Sequence, residues 1–193
     1  MWMLRIICSL DYKVEGLEKL PNKPAVFMAN HQSFWDNMFM QLVVPKHSWI
    51  IKKELLDIPF FGWGLKILEP IAVNRDLKMS VRQIIVKGVE TIANGMSMVI
   101  FPESTRLRVD ENRSFKPSGV KLAFEASVPM VLIAHNSGLF WPKGFWISPG
   151  TIKVEIVDVI YPEQFQHNNV REMTDNVQKI IQERKKFLAL NKN

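Results

Sequence analysis

The sequence predicts a single α/β domain, a sandwich with a mixed, mostly parallel sheet flanked by helices. Three observations support this. Short apolar runs take turns with helix-period segments along the chain. Its 193 residues show no internal repeat, low-complexity tract or Gly/Ser/Pro-rich linker, and that length suits one ordinary core. Polar clusters follow the ends of apolar runs, which is where open α/β sheets place their ligands.

The chain opens on "MWMLRIICSL", which is apolar but carries Arg5 and lacks a small-residue cleavage site. It makes a poor signal peptide, and no segment reaches the roughly 18 unbroken apolar residues of a membrane span. "AVFMAN" (25–30) reads as a buried strand, and "SWIIKK" (48–53) and "AVNR" (72–75) as further short strands. "SVRQIIVKGVETIANG" (80–95) is the clearest helix. Ser80 and Gln83 form a capping box, Ile84, Ile85, Val89 and Ile92 share a face, and Gly95 can close the helix in the left-handed region. "MSMVIF" (96–101) is a strand, "GVKLAFEAS" (119–127) a short helix and "VPMVLIAH" (128–135) another strand. "TIKVEIVDVI" (151–160) alternates as a strand exposed on one face, and 170–190 is helical with Val177, Ile180, Ile181 and Leu188 in a stripe.

Composition limits the functional classes. Hydrophobic residues make up 47% and charged residues 23%, which excludes a disordered chain. The net charge of +6 favours anionic partners, yet no run of five or six like charges forms a basic arm. The basic stretch "QERKKF" (182–187) fits simple complementarity to a helix C-terminus. No nucleic-acid motif is present, so no nucleic-acid partner is expected. The lone Cys8 cannot form an internal disulfide and reads as a small buried residue, consistent with a reducing compartment.

Three clusters offer chemistry. In "NHQSFWD", Ser33 can cap a helix starting at Phe34, which puts Asp36 in its first turn and His31 on the connector before it. A folded connector can then join residues five apart. Asp36 accepting from His31 Nδ1–H would leave Nε2 as a base. Spacing alone leaves open that Asp36 only caps the helix while His31 packs at a strand end. His47, His135 and His167 are scattered without metal-ligand spacing, and no G-x-S-x-G elbow occurs, so a substrate hydroxyl is the expected proton source. Backbone N–H groups near Ser33 are the expected oxyanion donors. In "FPESTRLR", Thr105 and Arg106 at a strand end suit a phosphate oxygen, as does Arg75 in "AVNRD". The aromatic stretches "IPFFGWG" (58–64) and "GLFWPKGFW" (138–146) suit either a lipid surface or core packing.

Taken in order, "NHQSFWD", "EPIAVNRD", "FPESTR" and "VPMVLIA" resemble the four successive motifs of the glycerolipid acyltransferases. The similarity is closest to the 1-acylglycerol-3-phosphate (lysophosphatidic acid) acyltransferases and runs from about Val14 to Val159. It implies a glycerol-3-phosphate acyltransferase-like α/β domain over 14–193. Residues 1–13 form an apolar segment standing where typical members carry a membrane-gripping helix or helix pair. It also implies transfer of a fatty acyl group from acyl-CoA or acyl-carrier protein to the hydroxyl of lysophosphatidic acid, giving phosphatidic acid, with no metal or bound cofactor. By the same resemblance His31 is the general base and Asp36 its orienting partner. Arg75, Glu103, Ser104, Thr105 and Arg106 fall on acceptor-binding positions, and Phe60, Phe61 and Trp63 would meet the acyl chain or the membrane. The expected location is peripheral, on the cytoplasmic face of a membrane. Two departures stand out: Ser104 replaces the glycine of F-P-E-G-T-R, and Asn74 stands beside Arg75. They keep open another lysolipid acceptor, or an inactive lipid-binding protein.

Overall fold

The computed structural model describes residues 1–66, 70–73, 81–165 and 167–191. Among these, seven strands form one sheet: β1 (Leu10–Glu15), β2 (Val26–Ala29), β3 (His47–Lys52), β4 (Ile71–Val73), β5 (Ser97–Ile100), β6 (Met130–His135) and β7 (Gly150–Ile160). Their spatial order is β1-β7-β6-β2-β5-β3-β4, all pairs parallel except β6–β7. The helices are α1 (Trp2–Cys8), α2 (Trp35–Val43), α3 (Phe61–Lys66), α4 (Val81–Ala93), α5 (Ser118–Ala126), α6 (Pro162–Phe165) and α7 (Val170–Leu190).

The central strands are buried on both faces, which is why they read as unbroken apolar runs. Val26, Met28, Met98, Ile100, Met130 and Leu132 point to one side, where they meet Ile85 and Ile92 of α4, Val120 and Leu122 of α5, and Val177 and Ile181 of α7. Phe27, Ala29, Val99, Val131 and Ile133 point to the other, against Trp35, Phe39 and Met40 of α2. Leu4 and Cys8 of α1 pack on the edge of this second cluster. The alternation predicted for β7 is present: Ile152, Val154 and Ile156 are buried between more exposed neighbours. Its pairing with β6 shifts register at Leu132/Ile133.

Three details refine the sequence expectations. β1 was not foreseen, because only Leu10 in it is buried. The boundary drawn between residues 13 and 14 falls inside this strand, whose register with β7 runs from Leu10↔Gly150 to Glu15↔Glu155. Gly95 closes α4 at φ +82 as expected, while the capping role given to Ser80 lies outside the described residues. Finally, Lys185 belongs to the buried stripe of α7 and is not a solvated charge near a helix end. It is 1% exposed, and its Nζ donates to Glu111 O at 2.8 Å and Asn112 Oδ1 at 3.0 Å. It thereby ties α7 to the loop after β5.

Candidate active site

Parallel pairing places the carboxyl ends of β2, β3, β5 and β6 at one edge of the sheet, beside the amino ends of β1 and β7. His31 follows β2 by two residues, Glu103 follows β5 by three, and Ser137 follows β6 by two. Residues far apart in sequence therefore converge on one rim.

His31 and Asp36 meet as the spacing allowed. The Nδ1 of His31 lies 2.9 Å from Asp36 Oδ2. An ionised carboxylate only accepts, so Nδ1 carries the proton and Nε2 keeps a lone pair. The ring stacks on Phe101 with centroids 4.1 Å apart, and its side chain is 15% exposed. Nε2 has no partner among the described residues and can face a substrate.

Asp36 is fully buried. Its Oδ2 also accepts from the backbone N–H of Gln32 at 2.7 Å and of Ser33 at 2.9 Å, while Oδ1 accepts from Ser137 Oγ at 2.6 Å. Burial pushes this carboxyl upward, but the His135 and His31 rings and the Ser137 hydroxyl outweigh it and hold the group below its ordinary value. The Asp stays ionised in the core because every approach to it is a donor.

These bonds correct one expectation. The N–H groups of Gln32 and Ser33 are committed to Asp36, and that of Trp35 donates to Ser33 Oγ at 3.1 Å, so they are not free for an oxyanion. In this turn the N–H groups of Phe34 and Asp36 have no acceptor among the described residues. The N-cap of α2 is Phe34 and not Ser33, because the helix begins at Trp35, one residue later than predicted, although Ser33 Oγ accepts from the Trp35 N–H just before it.

The loop after β5 holds His31 by its backbone. Glu103 Oε2 accepts from His31 N at 2.7 Å, and Leu107 N donates to His31 O at 2.8 Å. Glu103 is 1% exposed and lies behind the histidine, where burial raises its carboxyl above the ordinary value. Its Oε1 has no hydrogen-bond partner among the described residues. Ser104 adopts φ 60, the left-handed region that explains why glycine is usual there. Thr105 and Arg106 are partly exposed on the same turn, and Arg106 makes no hydrogen bond or ion pair among the described residues. Arg75 and Asn74 lie outside the described residues.

A further set was not assigned from sequence. Asn30 donates to His135 O and accepts from His135 N, both at 3.0 Å, extending the β2–β6 ladder through a side chain. His135 Nε2–H donates to Asn30 O at 2.7 Å, and burial lowers the pKa of this ring. Gln32 Oε1 accepts from Gly138 N at 3.1 Å. Asn136 bridges Lys153 N and Leu188 O. The polar triplet His135-Asn136-Ser137 at a strand end was the available signal, since it repeats the placement of the other clusters.

Exposed apolar residues crowd the same rim. Phe60 (80% exposed) and Trp63 pair edge to face at 5.2 Å in the segment after β3. Phe61 is the first residue of α3. Phe145 and Trp146 stand 100% and 87% exposed in the segment leading into β7, and Trp2, Met3, Ile6 and Ile7 are exposed on α1, which leads into β1. Among the described residues no group of His, Cys, Asp and Glu is arranged to hold a metal, and no helix is long and apolar enough to cross a membrane.

A buried carboxylate thus holds a histidine, with one ring nitrogen left open, at the carboxyl edge of a helix-flanked α/β sheet. Comparison with known proteins gives it a family. The acyltransferase family model matches residues 11–136. The 1-acyl-sn-glycerol-3-phosphate acyltransferase of Pseudomonas aeruginosa is 40% identical over 165 residues, covering 84% of this chain and 64% of that protein. The enzyme of the same name from Saccharomyces cerevisiae is 28% identical over 181 residues, covering 91% of this chain and 60% of its own length. The crystal structure of the 1-acyl-sn-glycerophosphate (LPA) acyltransferase PlsC from Thermotoga maritima matches with a TM-score of 0.77 at 27% identity, over 92% of this chain and 72% of that one. The chain belongs to the acyltransferase family. It spans less than two thirds of the two curated relatives described.

Proposed function

We propose that this chain is an O-acyltransferase that moves a fatty acyl group from acyl-CoA or acyl-carrier protein to the free hydroxyl of lysophosphatidic acid, giving phosphatidic acid. The observation that carries the proposal is the His31–Asp36 pair with Nε2 left open, in a chain 40% identical to a 1-acyl-sn-glycerol-3-phosphate acyltransferase. Nε2 takes the proton from the acceptor hydroxyl as its oxygen attacks the thioester carbonyl. The tetrahedral intermediate then collapses, the C–S bond breaks, and the proton passes to the departing thiolate. A positioned base supplies roughly 10²–10⁴-fold, and alignment of the two substrates supplies further rate. The thioester is already activated, so no cofactor enters these steps.

Arg106 on its exposed turn suits the acceptor phosphate, joined by Thr105 and by Arg75. Glu103 supports the site from behind by fixing the His31 backbone. The apolar rim of Phe60, Trp63, Phe145, Trp146 and α1 suits a lipid surface, which would bring lysophosphatidic acid directly to His31. The chain would then work as a peripheral protein on the cytoplasmic face of a membrane. The test is mass-spectrometric product analysis after incubation with lysophosphatidic acid and either donor, beside a panel of other lysolipids. Phosphatidic acid is expected. Failure with every phosphorylated acceptor would overturn the proposal, and product from another lysolipid alone would reassign the acceptor.

A further inference from the structure

We propose that Ser137 is a positioning residue for the His31–Asp36 pair. Its hydroxyl fixes the oxygen of Asp36 that faces away from His31. The role rests on His31 acting as the base.

The two oxygens of Asp36 are held very unequally. Oδ2 takes three donors, His31 Nδ1 and the N–H groups of Gln32 and Ser33, all from the segment just before it. Oδ1 takes one hydrogen bond, from Ser137 Oγ at 2.6 Å, contributed 101 residues downstream. His135 does not substitute for it. Its Nε2 lies 3.7 Å from Oδ1 and already donates to Asn30 O. Ser137 is therefore the only hydrogen-bond donor to Oδ1 among the described residues, in a place no water can replace cheaply because both side chains are fully buried.

Ser137 is itself rigidly seated. Its N–H reaches His135 Nδ1 at 3.5 Å, and its carbonyl accepts from Phe140 N and Trp141 N at 3.0 and 2.9 Å. Asn136 before it is anchored to β7 and α7, and Gly138 after it to Gln32. A Cβ at Gly138 would come within 3.0 Å of Gln32 Cβ and Val109 Cγ2, so the turn also lies tightly against its neighbours. The hydroxyl thus carries the rigidity of β6 to the carboxylate and fixes its rotation about the Cβ–Cγ bond. That rotation sets the direction of the His31 ring and of its Nε2 lone pair. The titratable groups around the carboxylate are His31 before α2, His135 at the end of β6 and Glu103 after β5, with Lys185 of α7 acting on Glu103 and His135.

Removing the hydroxyl has two effects. Asp36 gains freedom to turn, and its charge is less delocalised into donors, so it holds a protonated His31 more firmly. Ser137→Ala should lower kcat about tenfold, the rate equivalent of one hydrogen bond, with KM for both substrates within about twofold. The acid limb of the kcat/KM profile should move to higher pH, and Ser137→Thr should restore the wild-type behaviour. In ¹⁵N-histidine-labelled full chain, the His31 Nδ1–H cross-peak should weaken by exchange in Ser137→Ala and return in Ser137→Thr. If Ser137→Ala does not fold, Ser137→Cys, with its weaker donor, should show the same changes in smaller degree. A folded variant with unchanged kcat, acid limb and cross-peak overturns the role, as does a lower kcat with the limb unmoved. The cross-peak needs no turnover, so a wild-type chain inactive on lysophosphatidic acid would defeat the proposed reaction while the clamp on His31 is still read.

Discussion

Replacing Ser104 by glycine should stabilise the fold, and the size of the gain follows from one dihedral angle. Ser104 sits at φ 60, with its N–H donating to Phe101 O at 2.9 Å in the turn that presents Thr105 and Arg106. A side chain in the left-handed region costs about 1–2 kcal/mol. Glycine removes that cost but makes the unfolded chain more flexible, which returns about 0.4–1 kcal/mol. The net gain is roughly 0.5–1 kcal/mol, or about 1–4 °C in Tm for a domain of this size. Ser104→Ala keeps the Cβ and should gain nothing. Ser127, at φ 50 as the C-cap of α5, is an internal control, and Ser127→Gly should gain a similar amount. Urea unfolding and thermal melts at neutral pH measure all three. A Ser104→Gly chain melting at or below wild type while Ser127→Gly melts higher would refute the strain argument at this turn.

Arg106→Ala should raise KM for a phosphorylated acceptor with little change in kcat, because a phosphate anchor acts in ground and transition states alike. One charge-assisted contact of about 1.5–3 kcal/mol corresponds to roughly 10- to 150-fold, and an unchanged KM counts against the assignment. Phe145→Ala/Trp146→Ala should weaken sedimentation with anionic vesicles while leaving the melting curve in place, and equal sedimentation would remove these rings from the docking rim. Burial holds His47 and His135 below their ordinary 6.5. Both rings bind a proton less tightly folded than unfolded, so their contribution is full above 6.5 and is lost as pH falls, by up to about 1.4 kcal/mol per pH unit per ring. Glu103, raised by burial, acts in the opposite sense, favouring the fold at low pH and less as pH rises through its folded value. Urea unfolding followed from pH 7.5 down to 4.5, the ordinary value for Glu103, should therefore show a steeper acid loss in Glu103→Gln than in wild type, and a shallower one would reverse the sign assigned to Glu103.

The sheet was legible where burial was symmetric. β2, β5 and β6 lie between two helical layers, so each reads as a continuous apolar run that hardly admits another interpretation. β1 was not, because an edge strand that buries only Leu10 leaves no pattern in "LDYKVE". Within the site, local geometry was legible and long-range partnership was not. The five-residue step from His31 to Asp36 could be resolved from a strand end, a cap and a first helical turn. The hydroxyl of Ser137 reaches Asp36 across 101 residues, and the ammonium of Lys185 reaches Glu111 across 74. Such pairings depend on strand order, which one sequence does not display. Lys185 did leave a trace, since it falls in line with Val177, Ile181 and Leu188 where the helix period calls for an apolar residue. Glu103 looked like a substrate contact by its place in the motif, and its hydrogen bond to the His31 backbone became visible only with the loop closed over β2.

The most direct measurement compares wild type with His31→Ala in the conversion of lysophosphatidic acid and an acyl thioester to phosphatidic acid, with melting curves taken on both. Loss of roughly 10²–10⁴-fold or more in kcat, with the melting curve preserved, is the expected result. A folded His31→Ala chain that turns over at near the wild-type rate would contradict the general-base role on which the rest depends.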